Sequence, residues 1–193
     1  QQYLKNRLEI TGGSGKGIVL EVKEETGLGP TTDVILINGS LRIGEVVVLS
    51  KREGPISTRI KALFMPKPLD EMRDPRDRFT AVDEVFAAAG VKLVAPGLDG
   101  VLAGSPILSA GKSGEIQSLM QQVESEVQSI LVTRENEGIV LSCDALGSLE
   151  AIVGMLKEKD VPIRIGDIGP VNRRDVVEAA TVKKKDIYVG VDR

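Results

Sequence analysis

The sequence predicts two domains: an all-β barrel and, after a linking helix, a three-layer α/β domain with a parallel sheet. Three observations predict it. Short β-branched, apolar segments separated by turn chemistry fill the stretch from Gly17 to Ser109, the pattern of a sandwich or barrel. Ile116, Leu119, Met120, Val123, Val127, Ile130 and Leu131 then recur at a period near 3.6, which is an amphipathic helix. Beyond Gly138 the segments alternate strand, helix, strand, helix, strand, an order that implies parallel pairing through right-handed crossovers.

The bulk properties narrow the function classes. With 193 residues the chain holds one ordinary domain or two small ones. It is 41% hydrophobic but only 3% aromatic, with no Trp, so its core must be aliphatic. A net charge of -3 argues against a protein that coats nucleic acid by field strength alone. The single Cys143 excludes a disulfide framework and a multi-cysteine zinc site. The absence of His removes the commonest general base and metal ligand. No apolar run approaches the roughly 20 residues that span a bilayer, and no signal peptide opens the chain. The expectation is a soluble, cytoplasmic protein with no membrane partner, no catalytic residue and no metal site.

Gln1–Ile10 reads as the tail of a helix, with Leu4 and Leu8 four apart and Tyr3 beside them. It lacks a cap, as if cut from something longer. Gly12-Gly13-Ser14-Gly15-Lys16-Gly17 has the look of a phosphate loop but fails its spacing. A P-loop needs Gly five positions before the Gly-Lys pair and Ser or Thr after it, where this chain has Ile10 and Gly17. A linker is the better reading.

Strands are expected at Ile18–Val22, Asp33–Ile37, Glu45–Ser50 and Ile56–Met65, then at Val82–Phe86, Val91–Ala95 and near Ser109. Asn38-Gly39 is a turn pair that tolerates positive φ at both central positions. Asp70–Arg78 is so heavily charged that its plain reading is a solvated loop. Ala87-Ala88-Ala89-Gly90 would let a strand pack close to a neighbouring backbone. Ser113 can cap the following helix, with Glu115 in its first turn. That helix either packs on its own domain or connects the two.

In the α/β half, strands are expected at Ile139–Leu141, Val161–Ile168 and Ile187–Val191, with helices over Gly147–Lys159 and Asn172–Val182. Asn172 and Asp175 stand three apart, close to a capping box. A phosphate beside Ser148 would suit the open sheet edge, but there is no G-x-G-x-x-G and Pro170 donates no N–H, so an ordinary cap explains Ser148 better. Asp144 and Asp167 are read as turn acids rather than magnesium ligands, and Cys143 as a buried packing residue.

Two passages carry a family resemblance. Gly17–Glu25, running through Gly27-Leu28-Gly29 to Gly39-Ser40-Leu41-Arg42-Ile43-Gly44, resembles the opening of the second domain of the ribosomal subunit-joining GTPase. This initiation factor is called factor two in bacteria and five-B in archaea and eukaryotes. Ala89–Leu98 with Ala103-Gly104-Ser105-Pro106 is similar to the close of that domain, in its archaeal or eukaryotic branch. Cys143–Ala151, Asp167–Val171 and Arg173–Val176 resemble the α/β third domain.

The resemblance implies a translation-factor barrel over 12–112, a connecting helix over 113–132 and an α/β domain over 133–193 that ends before its closing element. Residues 1–11 would be the end of the nucleotide-domain helix and a linker. It implies a non-catalytic middle section that touches small-subunit ribosomal RNA and packs between the nucleotide-binding and C-terminal domains of the same protein. GTP and magnesium would belong to the full-length protein, and initiator tRNA to its C-terminal domain. Candidate RNA contacts are Lys51, Arg52, Arg59 and Lys61, taken as lying at or beside the Lys51–Pro55 turn, with a solvated rim an equal reading. Arg73, Arg76 and Arg78 are weaker, because adjacent acids offset them. Two other readings stand beside it: an elongation-type barrel that binds aminoacyl-tRNA, and a small nucleotide-binding α/β enzyme.

Overall fold

The β-branched segments of the first half fold as strands of one large antiparallel sheet. The computed structural model describes residues 14–67, 79–111, 116–130, 138–181 and 189–190. The expected helix over Gln1–Ile10, the run Asp70–Arg78, the Ser113 cap with Glu115 and the start of a strand at Ile187 lie outside the described residues. Two compact units emerge, one from residues up to Val101 with Ser105–Glu124, the other from Leu102–Gly104 with the residues from Ser125 onward.

In the first unit the strands are β1 (Lys16–Glu25), β2 (Gly29–Asn38), β3 (Ser40–Arg42), β4 (Val46–Lys51) and β5 (Gly54–Arg59). They are followed by β6 (Ala62–Pro66), β7 (Phe79–Val82), β8 (Glu84–Phe86), β9 (Ala89–Val94) and β10 (Pro106–Ala110). Eight of them join in the order β5-β4-β10-β1-β2-β9-β6-β7, while β3 and β8 form a separate ladder. The sheet is barrel-like because β5 and β6, near its opposite edges, are consecutive in the chain. Ile60 N–H donates to the Glu45 carbonyl on the β4 side, and the next amide, Lys61 N–H, donates to the Val94 carbonyl of β9.

That switch corrects the single strand expected over Ile56–Met65: two residues exchange one partner strand for another, so the segment breaks into β5 and β6. Val82–Phe86 divides for the same reason, β7 pairing with β6 and β8 with β3. Asn38-Gly39 is not a two-residue hairpin turn. Only Gly39 has positive φ, at 69°, and β2 and β3 pair with β9 and β8 rather than with each other.

The continuous apolar run in β4 has a clear cause. Val47 and Leu49 enter the aliphatic core with Val19, Leu36 and Leu93, while Val48 points the other way and pairs with Leu108 of β10. Helix α1 (Ile116–Ile130) covers that outer side with Ile116, Leu119, Met120 and the fully buried Val123. Both faces of β4 are therefore dry, and alternation gives way to a run. One turn later α1 contributes Val127 and Ile130 to the core of the second unit.

The second unit holds a parallel sheet in the order β12-β11-β13, from β11 (Ile139–Cys143), β12 (Ile163–Ile168) and β13 (Val189–Gly190). Every residue of β11 is buried, as befits a strand covered on both faces. Helix α2 (Leu146–Glu158) buries Leu146, Leu149 and Val153, one face at helical spacing. Helix α3 (Arg173–Ala180) begins with a complete capping box, as the Asn172 and Asp175 spacing predicts.

Candidate nucleic-acid interface

Two of the four candidate RNA contacts, Arg59 and Lys61, lie around a turn made by Arg42-Ile43-Gly44-Glu45. The Glu45 amide donates to the Arg42 carbonyl at 3.2 Å, and Gly44 occupies the third position with φ of 84°, the type II geometry that glycine accepts without strain. The Glu45 carboxylate folds back and accepts from the Arg42 amide at 3.1 Å, closing the turn. Gly44 N–H donates to the Ile60 carbonyl, so the turn sits against the β5–β6 switch.

This arrangement places Arg59 at the turn, where Nη1 donates to the Gly44 carbonyl at 2.7 Å. The acceptor is a neutral carbonyl, so this bond holds the guanidinium in position without cancelling its charge. Lys61 is exposed two residues on, directly after the switch. Arg42 belongs to the same corner, but its Nε donates to Glu84 Oε1 at 2.6 Å across the β3–β8 ladder. That hydrogen bond and the Glu84 charge raise the Arg42 guanidinium further above its ordinary value.

Lys51 and Arg52 lie elsewhere. Lys51 pairs with Gly54 at one end of the β4–β5 hairpin, whereas Arg59 pairs with Val46 at the other. Five residues of extended chain separate the ends by roughly 17 Å. The four cations therefore form two pairs, and Arg59 and Lys61 do not sit beside the Lys51–Pro55 turn. The register explains this: a hairpin carries its second strand back to the start of its first. Arg42 was not among the cations singled out from the sequence; the β3–β8 pairing brings it to this corner.

A second ionic cluster was also missed. Lys92 on β9 is 5% exposed, forms ion pairs with Glu25 and with Asp33 (3.6 Å to the latter), and lies 4.7 Å from the Phe79 ring centroid. Its three partners come from β1, β2 and β7, and the Asp33↔Lys92 register brings one acid opposite it. The cluster is satisfied within itself and offers a ligand nothing.

The remaining candidates carry no site. The glycine-rich Gly15-Lys16-Gly17 segment is consumed by β1: Lys16 pairs with Asn38 and Leu108, and Gly15 N–H donates to Ser109 Oγ at 2.6 Å. These residues are paired on both sides, with β10 and β2, inside the sheet, so they do not fit a nucleotide phosphate. Ser148 is not the cap of α2. Ala145 occupies that position without a side-chain bond, and the free Leu146 amide donates to the Ala103 carbonyl at 2.9 Å. Asp167 lies within β12, opposite Ser142, and not in a turn as expected; its Oδ1 accepts from the Ile168 amide at 2.7 Å. Among the described residues no three His, Cys, Asp or Glu side chains converge on a metal position, and no helix is long and apolar enough to cross a membrane. Cys143 is buried, and burial raises its thiol above the ordinary value, with the Asp144 charge adding to the effect.

No protein-family model matches the chain. Individual proteins do. A probable translation initiation factor IF-2 of Thermofilum pendens is 52% identical over 192 residues, which is 99% of this chain and 32% of that protein. The probable translation initiation factor IF-2 of Methanopyrus kandleri is 48% identical over 192 residues, with the same coverage. In fold, the chain is similar to GDP-bound aIF5B from Aeropyrum pernix, with a TM-score of 0.82 and 48% identity, covering 93% of this chain and 30% of that one. The chain thus spans about a third of the length of the curated relatives it matches.

Proposed function

Because this chain belongs to the archaeal translation initiation factor IF-2 (aIF5B) family over about a third of its relatives' length, we propose that it is the non-catalytic middle section of a ribosomal subunit-joining GTPase. In this reading the barrel-like unit, with domain limits of 12–112, docks on small-subunit ribosomal RNA. The helix over 113–132 and the α/β domain over 133–193 pass the nucleotide state toward a C-terminal part that binds initiator tRNA. GTP and magnesium act in the nucleotide-binding part of the longer protein.

The observation that carries the reading is the match over 99% of this chain in sequence and 93% in fold, at 48% identity to a solved factor. The RNA contact rests on Arg59 and Lys61 at the Gly44 corner, where neither side chain meets an acid among the described residues. Two phosphate contacts add only a modest, salt-sensitive affinity, in keeping with a chain of near-neutral charge.

Co-sedimentation of the chain with isolated small ribosomal subunits tests this. Binding should fall with rising salt, and Arg59→Gln with Lys61→Gln should lower the salt slope by about 1 to 2 units. Absence of binding at low salt overturns the docking. Saturable binding of aminoacyl-tRNA to this chain alone would favour an elongation-type barrel. Tight binding of a nucleotide by calorimetry would favour a small α/β enzyme.

A further inference from the structure

We propose that the outward face of the β3–β8 ladder takes an unpaired RNA nucleotide, its base on the Phe86 ring and its phosphate on Arg42. The inference rests on the RNA reading above and specifies the kind of RNA it would meet.

The ladder register sets Ser40 opposite Phe86 and Arg42 opposite Glu84. Alternate residues of a strand share a face, so Arg42, Glu84 and Phe86 stand together while Leu41 and Val85 point into the core at 1% exposure each. Arg42 and Phe86 are diagonal neighbours, roughly 7–8 Å apart at the backbone and within reach of long side chains.

The chain has three phenylalanines, and each has a different fate. Phe64 is half-buried and Phe79 lies against the Lys92 ammonium. Phe86 is 54% exposed, the most exposed of the three, and no cation or ring covers it among the described residues. An aromatic ring left open on an ordered strand, beside an arginine, presents the two groups that a splayed-out nucleotide needs: a stacking surface and a phosphate donor. A base-paired duplex would offer the ring no free base face.

Glu84 gives the site a resting state. Its carboxylate holds the Arg42 guanidinium on the ladder face and neutralises it, and an incoming phosphate takes over the same donor. Arg42 is 65% exposed as a side chain, so the exchange needs no change in the core.

The test uses the whole chain with two probes: a short single-stranded RNA carrying one 2-aminopurine, and a blunt duplex of the same sequence. The wild-type chain should quench the 2-aminopurine and bind the single strand better than the duplex. Phe86→Leu should abolish the quenching and weaken single-strand binding by about ten-fold, leaving the duplex unaffected, while Phe86→Trp restores both. Glu84→Gln should strengthen single-strand binding several-fold, and Arg42→Gln should remove that gain. Unchanged thermal unfolding of Phe86→Leu is expected for so exposed a side chain. Single-strand binding that ignores Phe86 overturns this proposal while the RNA reading stands. Failure of the wild-type chain to bind either RNA at low salt overturns both.

Discussion

Asn172 and Asp175 cap each other across the first turn of α3. Asn172 Oδ1 accepts from the amides of Arg174 and Asp175 at 2.8 and 3.2 Å, and Asp175 Oδ2 accepts from the Asn172 amide at 2.8 Å. Asp175 is 8% exposed, so its carboxylate is largely cut off from water as an alternative partner. Asn172→Ala should destabilise the second unit by about 1 kcal/mol, since two helix amides lose their acceptor. Asn172→Ser should recover most of that loss. Urea unfolding followed by far-UV circular dichroism measures both, and an alanine variant with the wild-type midpoint would contradict the cap.

Gly104 and Gly147 make opposite predictions within one contact. Gly104 has φ of 83°, and a Cβ there would lie 3.1 Å from Leu146 Cβ and from the Gly147 amide nitrogen. The crowded atoms adjoin the Ala103 carbonyl that caps α2 through the Leu146 amide. Gly104→Ala should cost about 1–3 kcal/mol through backbone strain and a loosened cap. A Cβ on Gly147 meets nothing within 4 Å, and its φ is not positive. Gly147→Ala should stabilise by up to about 1 kcal/mol, because alanine loses less entropy in a helix. Hydrogen exchange at the Leu146 amide separates the two, rising in the first variant only.

What was legible in the sequence was local. The α3 cap, the α1 stripe and the buried Cys143 each follow from spacings within a few residues. The β5–β6 switch was not legible, because it depends on Ile60 and Lys61 choosing partners at Glu45 and Val94. The cap of α2 escaped for the same reason: its acceptor is Ala103, a backbone group more than forty positions upstream, and no side-chain signal marks it. In the candidate site, Arg59 and Lys61 stood out as exposed cations. Arg42 and Phe86 did not, since only the β3–β8 register shows that they share a face.

Lys92 tests how much a nearly buried ion cluster contributes. It meets Glu25 and Asp33, which are 33% and 32% exposed as side chains, and it faces the Phe79 ring. Lys92→Met keeps the stem packing but leaves two carboxylates without their cation. Water reaches both acids and recovers part of the loss, so the expected cost is about 1–3 kcal/mol rather than the larger penalty of a fully buried pair. Adding Glu25→Gln should restore part of the stability, because it removes the repulsion that the first change exposes. Denaturation of the single and double variants gives the coupling directly, and additive losses would show that the acids do not share the cation.

Cys143 makes the pH prediction. Its side chain is 1% exposed, and burial raises the thiol above its ordinary value, with Asp144 reinforcing the shift. The thiolate is the reactive form, so at pH 8 the native chain should react with Ellman's reagent only as fast as it opens, while urea exposes one thiol at once. The sign for stability follows from proton counts. Between the unfolded and the raised folded value, the native state keeps the proton that the unfolded state has lost, so stability falls as pH rises through that interval. Below the unfolded value both states hold the proton and the contribution is flat. Cys143→Ala should abolish this alkaline decline, at a cost in packing against Leu141 and Leu146 that is independent of pH. A wild-type thiol that titrates with the reagent before unfolding would place Cys143 outside the core.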